Sequence, residues 1–276
     1  MKHHPISPAT LRGDQKINFD VFVQIGEKFI TYVRAGTSFE GQRLKRLIDK
    51  NVSQLFIRDA DKAAYERYLN KNIEAASDPN HPMSLEIRGQ IIIGMQEALA
   101  EKIITNPFDK EQYKEARETN KRFAQFFNQL DAAMGLLLVQ DGEENSIALH
   151  GSRVSILSLS LAKKLGIKDN RHLSLLSLGA LVHDIGHASI QVQFPCNTVA
   201  LTPIQLEEYK RHPAAGLDAV LSCKHFDQSV LNIIQQHEES FDGTGFPRGL
   251  KKSDLDPLGQ IVATANSLDR YMKIER

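Results

Sequence analysis

The feature that most constrains the fold is an apolar run with a polar end. Leu173, Leu175, Leu176, Leu178, Ala180, Leu181 and Val182 leave no polar face, and His183-Asp184 follows at once. A helix apolar all round is buried, so this one carries an imidazole and a carboxylate inside. A buried charge left unpaired costs several kcal/mol or more. Gly186 is expected to break the helix, and His187 follows. Taken alone, the pair reads equally well as a structural hydrogen bond or as part of a larger site.

Three further histidines tip that balance. His150 opens His-Gly-Ser-Arg-Val on the preceding helix. His212 lies in Lys-Arg-His-Pro, after a capped helix start at Thr202-Pro203-Ile204-Gln205, and His237 ends the apolar stretch Val230, Leu231, Ile233, Ile234. Four histidines on four helices of one bundle is how bundle metal sites are built, with ligands projecting inward. Imidazole with carboxylate suits iron, manganese or zinc rather than calcium. Asp184 is the strong candidate for a carboxylate shared by two ions. Such ions, about 3.5–4 Å apart, would hold a bridging hydroxide and clamp a phosphate oxygen for in-line attack. The spacing His183-Asp-Ile-Gly-His187 also suits a single-zinc peptidase, but that chemistry wants a glutamate where Asp184 stands.

Composition narrows the partners. Lys+Arg and Asp+Glu are both 34, so the net charge is zero, which argues against nucleic-acid binding. No apolar run approaches the ~18 residues of a membrane span, and the first ten residues lack a signal-peptide core. Cys196 and Cys223 are the only cysteines, which excludes a disulfide scaffold and fits a reducing cytoplasm. The expected location is cytoplasmic, with no nucleic acid and no membrane as partner.

The pattern along the chain gives the fold class: mainly α, an all-helical metal-binding bundle preceded by a small α+β domain. Residues 17–25 alternate as a strand with only Phe22 out of phase. Gly26-Glu27-Lys28 reads as a turn into a second strand, Phe29 to Val33. A helix with the stripe Leu44, Leu47, Ile48, a short strand at Leu55 to Ile57 and a helix to about Ala76 complete this unit. Breakers at Asp78-Pro79-Asn80-His81-Pro82 bound it. Two helices follow, the second opened by an Asp109/Gln112 capping box. Further helices are expected at about 145–165, 171–186, 203–221, 227–238 and 258–273. The domains read as 1–80 (regulatory or scaffold), 81–142 (connecting helical hairpin) and 143–276 (metal-binding). His3 and His4 read as tail, and His172 and His225 as surface or helix-end residues.

The second half resembles the HD-GYP family of HD-type phosphohydrolases, and within it a member lacking the tyrosine. The match rests on His150-Gly-Ser-Arg-Val, His183-Asp184-Ile185-Gly186, and Leu201-Thr202 leading to His212-Pro213-Ala214-Ala215-Gly216. It continues with His237-Glu238 running into Phe241-Asp242-Gly243-Thr244-Gly245-Phe246-Pro247, and ends on Ile261-Val262-Ala263-Thr264-Ala265-Asn266. It covers the chain from about residue 145. The resemblance implies an enzyme: a metal-dependent phosphodiesterase that hydrolyses cyclic di-GMP through a dinuclear site. It implies two divalent ions, iron first, with manganese or zinc as alternatives. His150, His183 and Asp184 would hold one ion; Asp184 with His212 and His237 would hold the other. Gln236 and Asn266 are further candidate ligands. Asp184 and His187 would be the catalytic residues, His187 as a general acid. Asp242, Gly243, Gly245, Phe246, Pro247 and Asp269 would bind the cyclic dinucleotide or a signalling protein partner.

Several positions depart from the family pattern. Phe246 replaces the tyrosine, Gln236 a histidine, Asn266 an aspartate and His187 a lysine. Ser146 stands where some members place a glutamate for a third ion. The chain stops at Arg276, where the resemblance implies a further basic segment. Neutral amides bind metal more weakly than imidazole or carboxylate, so the alternative reading is a catalytically degenerate, metal-holding cyclic di-GMP receptor or scaffold.

Overall fold

The computed structural model describes residues 2–6, 8–39, 43–50, 52, 54–78, 80–129, 147–192 and 200–274. The chain divides into two compact units, Met1–Ala98 and Leu99–Arg276. In the first, β1 (His3–Ile6), β2 (Val21–Ile25), β3 (Lys28–Val33) and β4 (Leu55–Arg58) form one antiparallel sheet in the order β1-β4-β2-β3. The expected hairpin is present. Ile25 pairs with Lys28, which leaves a two-residue turn with Gly26 at φ 59°. Glycine reaches positive φ at no steric cost, and a glycine-first turn matches the strand twist.

The alternation overstates the first strand. Ile17 and Phe19 are buried, but the Ile17 backbone bonds Thr37 and Gly36. Phe22, the residue out of phase, coincides with a register shift between Val21 and Phe22. A bulge turns both side chains toward buried environments. The expectation for His3 and His4 is corrected: both lie in β1, where His3 stacks on Phe29 with ring centroids 3.9 Å apart and His4 bonds Asp59. Helices α1 (Arg43–Asp49) and α2 (Lys62–Ser77) close the unit. Leu44, Leu47, Tyr65, Leu69 and Ile73 share one core with Val21, Val33, Leu55 and Ile57. Phe19 lies edge-on to both Tyr65 and Tyr68.

The breaker cluster after Ser77 leads into α3 (Leu85–Thr105), and the division between the units falls inside this helix. The second unit continues with α4 (Lys110–Gln129), α5 (Ile147–Lys164), α6 (Asn170–Val182), α7 (Pro203–Tyr209), α8 (His212–Leu221), α9 (Gln228–Gln236) and α10 (Pro257–Ile274). Helix α6 is the apolar run. It packs against α4, α5, α9 and α10, and every residue from Leu173 to Val182 is buried. Among the described residues no helix is long and apolar enough to cross a membrane.

Helix starts follow the capping signals. Asp109 Oδ1 accepts the backbone N–H groups of Glu111 and Gln112 at 3.1 Å, although the Asp109 N–H is taken by Asn106 O rather than by Gln112. Thr202 and Gln205 form the full reciprocal box.

Two helices end earlier than predicted. The 171–186 segment leaves the α-helix after Val182 and passes through His183-Asp184 into a 3-10 turn, Ile185–Ser189. The 203–221 segment breaks at Lys210-Arg211. Proline explains the break. In a continuous helix the Pro213 ring would strike the carbonyl of Tyr209, and it has no N–H to give it. That carbonyl is bonded by His212 Nδ1 at 2.7 Å.

Helix α4 is tied to the start of α9 by Tyr113, whose hydroxyl donates to Asp227 Oδ2 at 3.2 Å and accepts the Asp227 N–H at 3.1 Å. The Tyr113, His225 and Phe226 rings are in mutual contact, Tyr113 and Phe226 the nearest pair at 4.4 Å between centroids. Tyr113→Phe leaves the half-buried Asp227 N–H without its acceptor. It is expected to lower stability by about 1–2 kcal/mol, read as a reduced midpoint in urea denaturation with an unchanged slope.

Candidate metal centre

Three of the four predicted histidines are aimed by one local device. His183 follows the end of α6, and its Nδ1 donates to Ala180 O at 2.6 Å. His237 follows the end of α9, and its Nδ1 donates to Ile234 O at 2.9 Å. His212 follows the end of α7 and uses Tyr209 O in the same way. Each ring thus takes a carbonyl three residues back, from a turn whose last carbonyls lack helical partners. A carbonyl only accepts, so each Nδ1 carries the hydrogen, and a neutral ring then presents a lone pair at Nε2. His150 differs because it sits within α5. Its Nδ1 bonds Asp269 Oδ2 at 2.8 Å, and Asp269 Oδ1 accepts Arg153 Nε at 2.9 Å.

The Nε2 atoms converge on Asp184. Asp184 Oδ2 lies 3.4 Å from His183 Nε2 and 3.5 Å from His150 Nε2. Its other oxygen, Oδ1, lies 3.2 Å from His237 Nε2, 3.4 Å from His212 Nε2 and 3.8 Å from His187 Nε2. Asp184 is 1% exposed, yet neither oxygen receives a hydrogen bond in proper geometry, and His183 Nε2 makes none either. Burial works against the ionised carboxyl, but the surrounding imidazoles, His183 first, outweigh it and hold Asp184 well below the usual carboxylate range. Burial lowers His237 to about 3, His187 to about 4, and also lowers His150. An ionised carboxylate beside rings that burial keeps from protonating, as at His237, is the state that binds a cation.

His212 Nε2 and His237 Nε2 stand 2.8 Å apart. With both Nδ1 hydrogens given to carbonyls, neutral rings turn two lone pairs on each other. Only an added proton or a metal cation relieves that repulsion, and burial opposes the added proton at His237. A similar conflict exists at His150, whose Nε2 faces Asn266 Oδ1 at 2.9 Å while the Asn266 amide donates to Glu238 Oε1 at 3.3 Å. Ions with bonds of about 2.0–2.2 Å place neighbouring ligand atoms about 3 Å apart, close to these spacings. The donor set therefore fits divalent metal.

Other expected site residues fall differently. Gln236 points away, because adjacent helix residues face different directions; its Oε1 accepts the Asp256 N–H at 2.8 Å. Asp269, expected at the substrate surface, is 2% exposed and holds His150. His187, expected as a general acid, is buried and stacked on His212 with centroids 4.3 Å apart. Burial works against protonation of this ring. Ser146 and Cys196 lie outside the described residues, and Cys223 is half-buried.

The loop residues lie beside the cluster. Phe246 donates its N–H to Glu238 O at 3.1 Å, and its ring stands edge-on to His212 and Tyr209. Asp242 Oδ1 accepts the Thr244 N–H and hydroxyl, Gly243 has φ 81°, and Gly245 packs against the backbone of Glu238 to Ser240. Pro247 is exposed. Glu239 fastens the loop by accepting the Arg248 and Leu250 N–H groups at 2.8 and 2.9 Å.

Sequence reasoning missed Glu238. Its Oε1 lies 3.8 Å from His212 Nε2 and 3.9 Å from His237 Nε2, and accepts from Tyr209 OH at 3.2 Å and from Arg270. The available signal was its place directly after His237.

Comparisons with known proteins agree with this geometry. The HD domain family model matches residues 138–275. A solved structure, Bd1817, described as a HDG"Y"P protein from Bdellovibrio bacteriovorus, superposes with a TM-score of 0.89 at 40% identity over 98% of this chain and 88% of that one. The chain belongs to the HD-domain family, on its HD-GYP branch. Among curated relatives, a cyclic di-GMP phosphodiesterase from Thermotoga maritima is 34% identical over 44% of this chain and 33% of its own length. PdeB from Borreliella burgdorferi, named a cyclic di-GMP phosphodiesterase, is 28% identical over 43% and 31%. A 3′3′-cGAMP-specific phosphodiesterase from Vibrio cholerae is 27% identical over 48% and 28%. The chain thus spans about a third of the length of these curated relatives.

The two halves of the centre meet at Gly186. A Cβ there would stand 1.9 Å from His212 O and 2.6 Å from Gly216 N, both backbone atoms. Gly186→Ala must displace α8 from the 3-10 turn that follows Asp184. The expected result is a loss of about 2 kcal/mol or more in thermal denaturation, with weakened divalent-metal retention in the protein that still folds.

Proposed function

We propose that this chain is a metal-dependent phosphodiesterase acting on cyclic di-GMP. The observation that carries the reading is the pair of opposed Nε2 lone pairs on His212 and His237, beside an Asp184 carboxylate whose two oxygens serve different histidine sets. His150, His183 and Asp184 would hold one ion, and His212, His237 and Asp184 the second. Asn266 would add a neutral oxygen beside His150. Iron comes first, with manganese or zinc as alternatives, because imidazole and carboxylate donors suit all three. When bound, such ions supply the Lewis acidity that polarises a phosphodiester for in-line displacement.

The chain's own groups supply the rest. The backbone carbonyls fix three ring tautomers, and Asp269 fixes the fourth. Asp184 stays ionised between the two sets, and His187 stays neutral against His212. Asp242, Gly243, Gly245, Phe246 and Pro247 would form the rim that meets a dinucleotide or a signalling protein. Cyclic di-GMP is supported by the names of the relatives, one of which is named instead for 3′3′-cGAMP. Residues 143–276 would be the catalytic domain, 81–142 the connecting hairpin and 1–80 a regulatory or scaffold domain. Asn266 favours the second reading, a non-catalytic receptor, since a neutral amide leaves less negative charge against two dications.

Metal analysis of anaerobically purified protein, with cyclic di-GMP turnover on the same sample, tests both readings. About two ions per chain with turnover are expected. Two ions without turnover would favour the receptor, and no retained metal would defeat both. Asp184→Ala should abolish metal content while far-ultraviolet circular dichroism remains helical. Asp269→Asn, which disturbs the support of His150 and the pair with Arg153, should weaken metal affinity about 10–100-fold.

A further inference from the structure

Two guanidinium groups reach the residues of this centre, and they are placed differently. Arg153 is spent on Asp269 through Nε, and its side chain is 10% exposed. Arg270 lies on α10, one turn after Asn266, and its side chain is 29% exposed. Both of its terminal nitrogens go to one carboxylate: Nη2 bonds Glu238 Oε1, and Nη1 lies 3.3 Å from Oε2. Its guanidinium carbon also stands 5.8 Å from the centroid of the Tyr209 ring. Glu238 Oε1 is itself only 3.8 Å from His212 Nε2. The guanidinium is therefore one carboxylate away from the convergent histidines and is held in place before any ligand arrives.

That placement has a chemical use. Two bonds to Glu238 occupy two of the five N–H donors of an arginine. The rest remain for an anion, in a planar array that matches phosphate oxygens. Glu238 is already shared among Arg270, Asn266 and Tyr209, so the fork is pre-oriented without being neutralised by a dedicated partner.

Resting on the phosphodiesterase reading, we propose that Arg270 is the phosphate-binding residue of this site and takes a non-bridging oxygen of the scissile phosphodiester, with Glu238 as its positioning residue. The ligand class is a phosphate monoanion or diester, whatever nucleosides it joins. Arg270 would thereby contribute to phosphate affinity independently of base recognition.

Calorimetric titration of the metal-loaded full chain with inorganic phosphate tests this without relying on turnover, and hydrolysis of bis(p-nitrophenyl) phosphate supplies a base-free substrate. Arg270→Met is expected to weaken phosphate binding at least about tenfold, as for loss of a charged hydrogen bond, and to raise KM for the nitrophenyl diester, with metal content unchanged. Arg270→Lys should recover part of both. Equal phosphate affinity in wild type and Arg270→Met would overturn the assignment while leaving the phosphodiesterase reading intact. Loss of metal together with phosphate binding would overturn it differently, by making Arg270 a support of the metal centre. Should the wild-type protein hold metal yet neither bind phosphate nor cleave the diester, the phosphodiesterase reading itself fails, and the Arg270 assignment fails with it.

Discussion

The centre depends on a hydrogen bond that helix ends provide. In His183, His212 and His237 the Nδ1–H is given to the carbonyl three residues back, at distances of 2.6–2.9 Å. Such carbonyls lack a partner at any helix terminus, so the bond satisfies the backbone and fixes the tautomer in one step. The price is that each helix must stop where its histidine stands. This is why α6 gives way to a 3-10 turn, why α9 ends at Gln236, and why Pro213 breaks the chain between α7 and α8.

The sequence showed the parts of this arrangement more clearly than their orientation. The apolar face of α6, the four histidines on separate helices and the Thr202 cap could all be read from residue type and spacing. The break at Lys210-Arg211 was signalled by Pro213, through which the expected 203–221 helix ran. Gln236 and Glu238 show the limit of one-dimensional reading. They flank His237, yet Gln236 turns to Asp256 while Glu238 turns to the cluster, and a helix terminus leaves that choice to its local geometry. Asp269 was legible as a site residue but not as a buried one. Its role depends on α10 lying beside α5, a long-range contact that no local pattern encodes.

In the first unit the same division holds. The Gly26 hairpin was visible because a tight turn needs a particular residue type. The shortened β2 was not, because burial of Ile17 and Phe19 gives the alternating signature whether or not the backbone joins a ladder. Pairing of β1 with β4 joins residues about fifty positions apart, and four residues beginning with two histidines carry little strand signal of their own.

Asp184 has one further consequence. Its two oxygens belong to different histidine sets on a single rigid plane, so a cation gripping Oδ2 would also fix the direction of Oδ1. The orientational entropy of the carboxylate would be lost once, on the first event, and the second would proceed without that cost. That saving opposes the mutual repulsion of two cations held so close, so the shared carboxylate is the group through which occupancy of one set would be felt by the other.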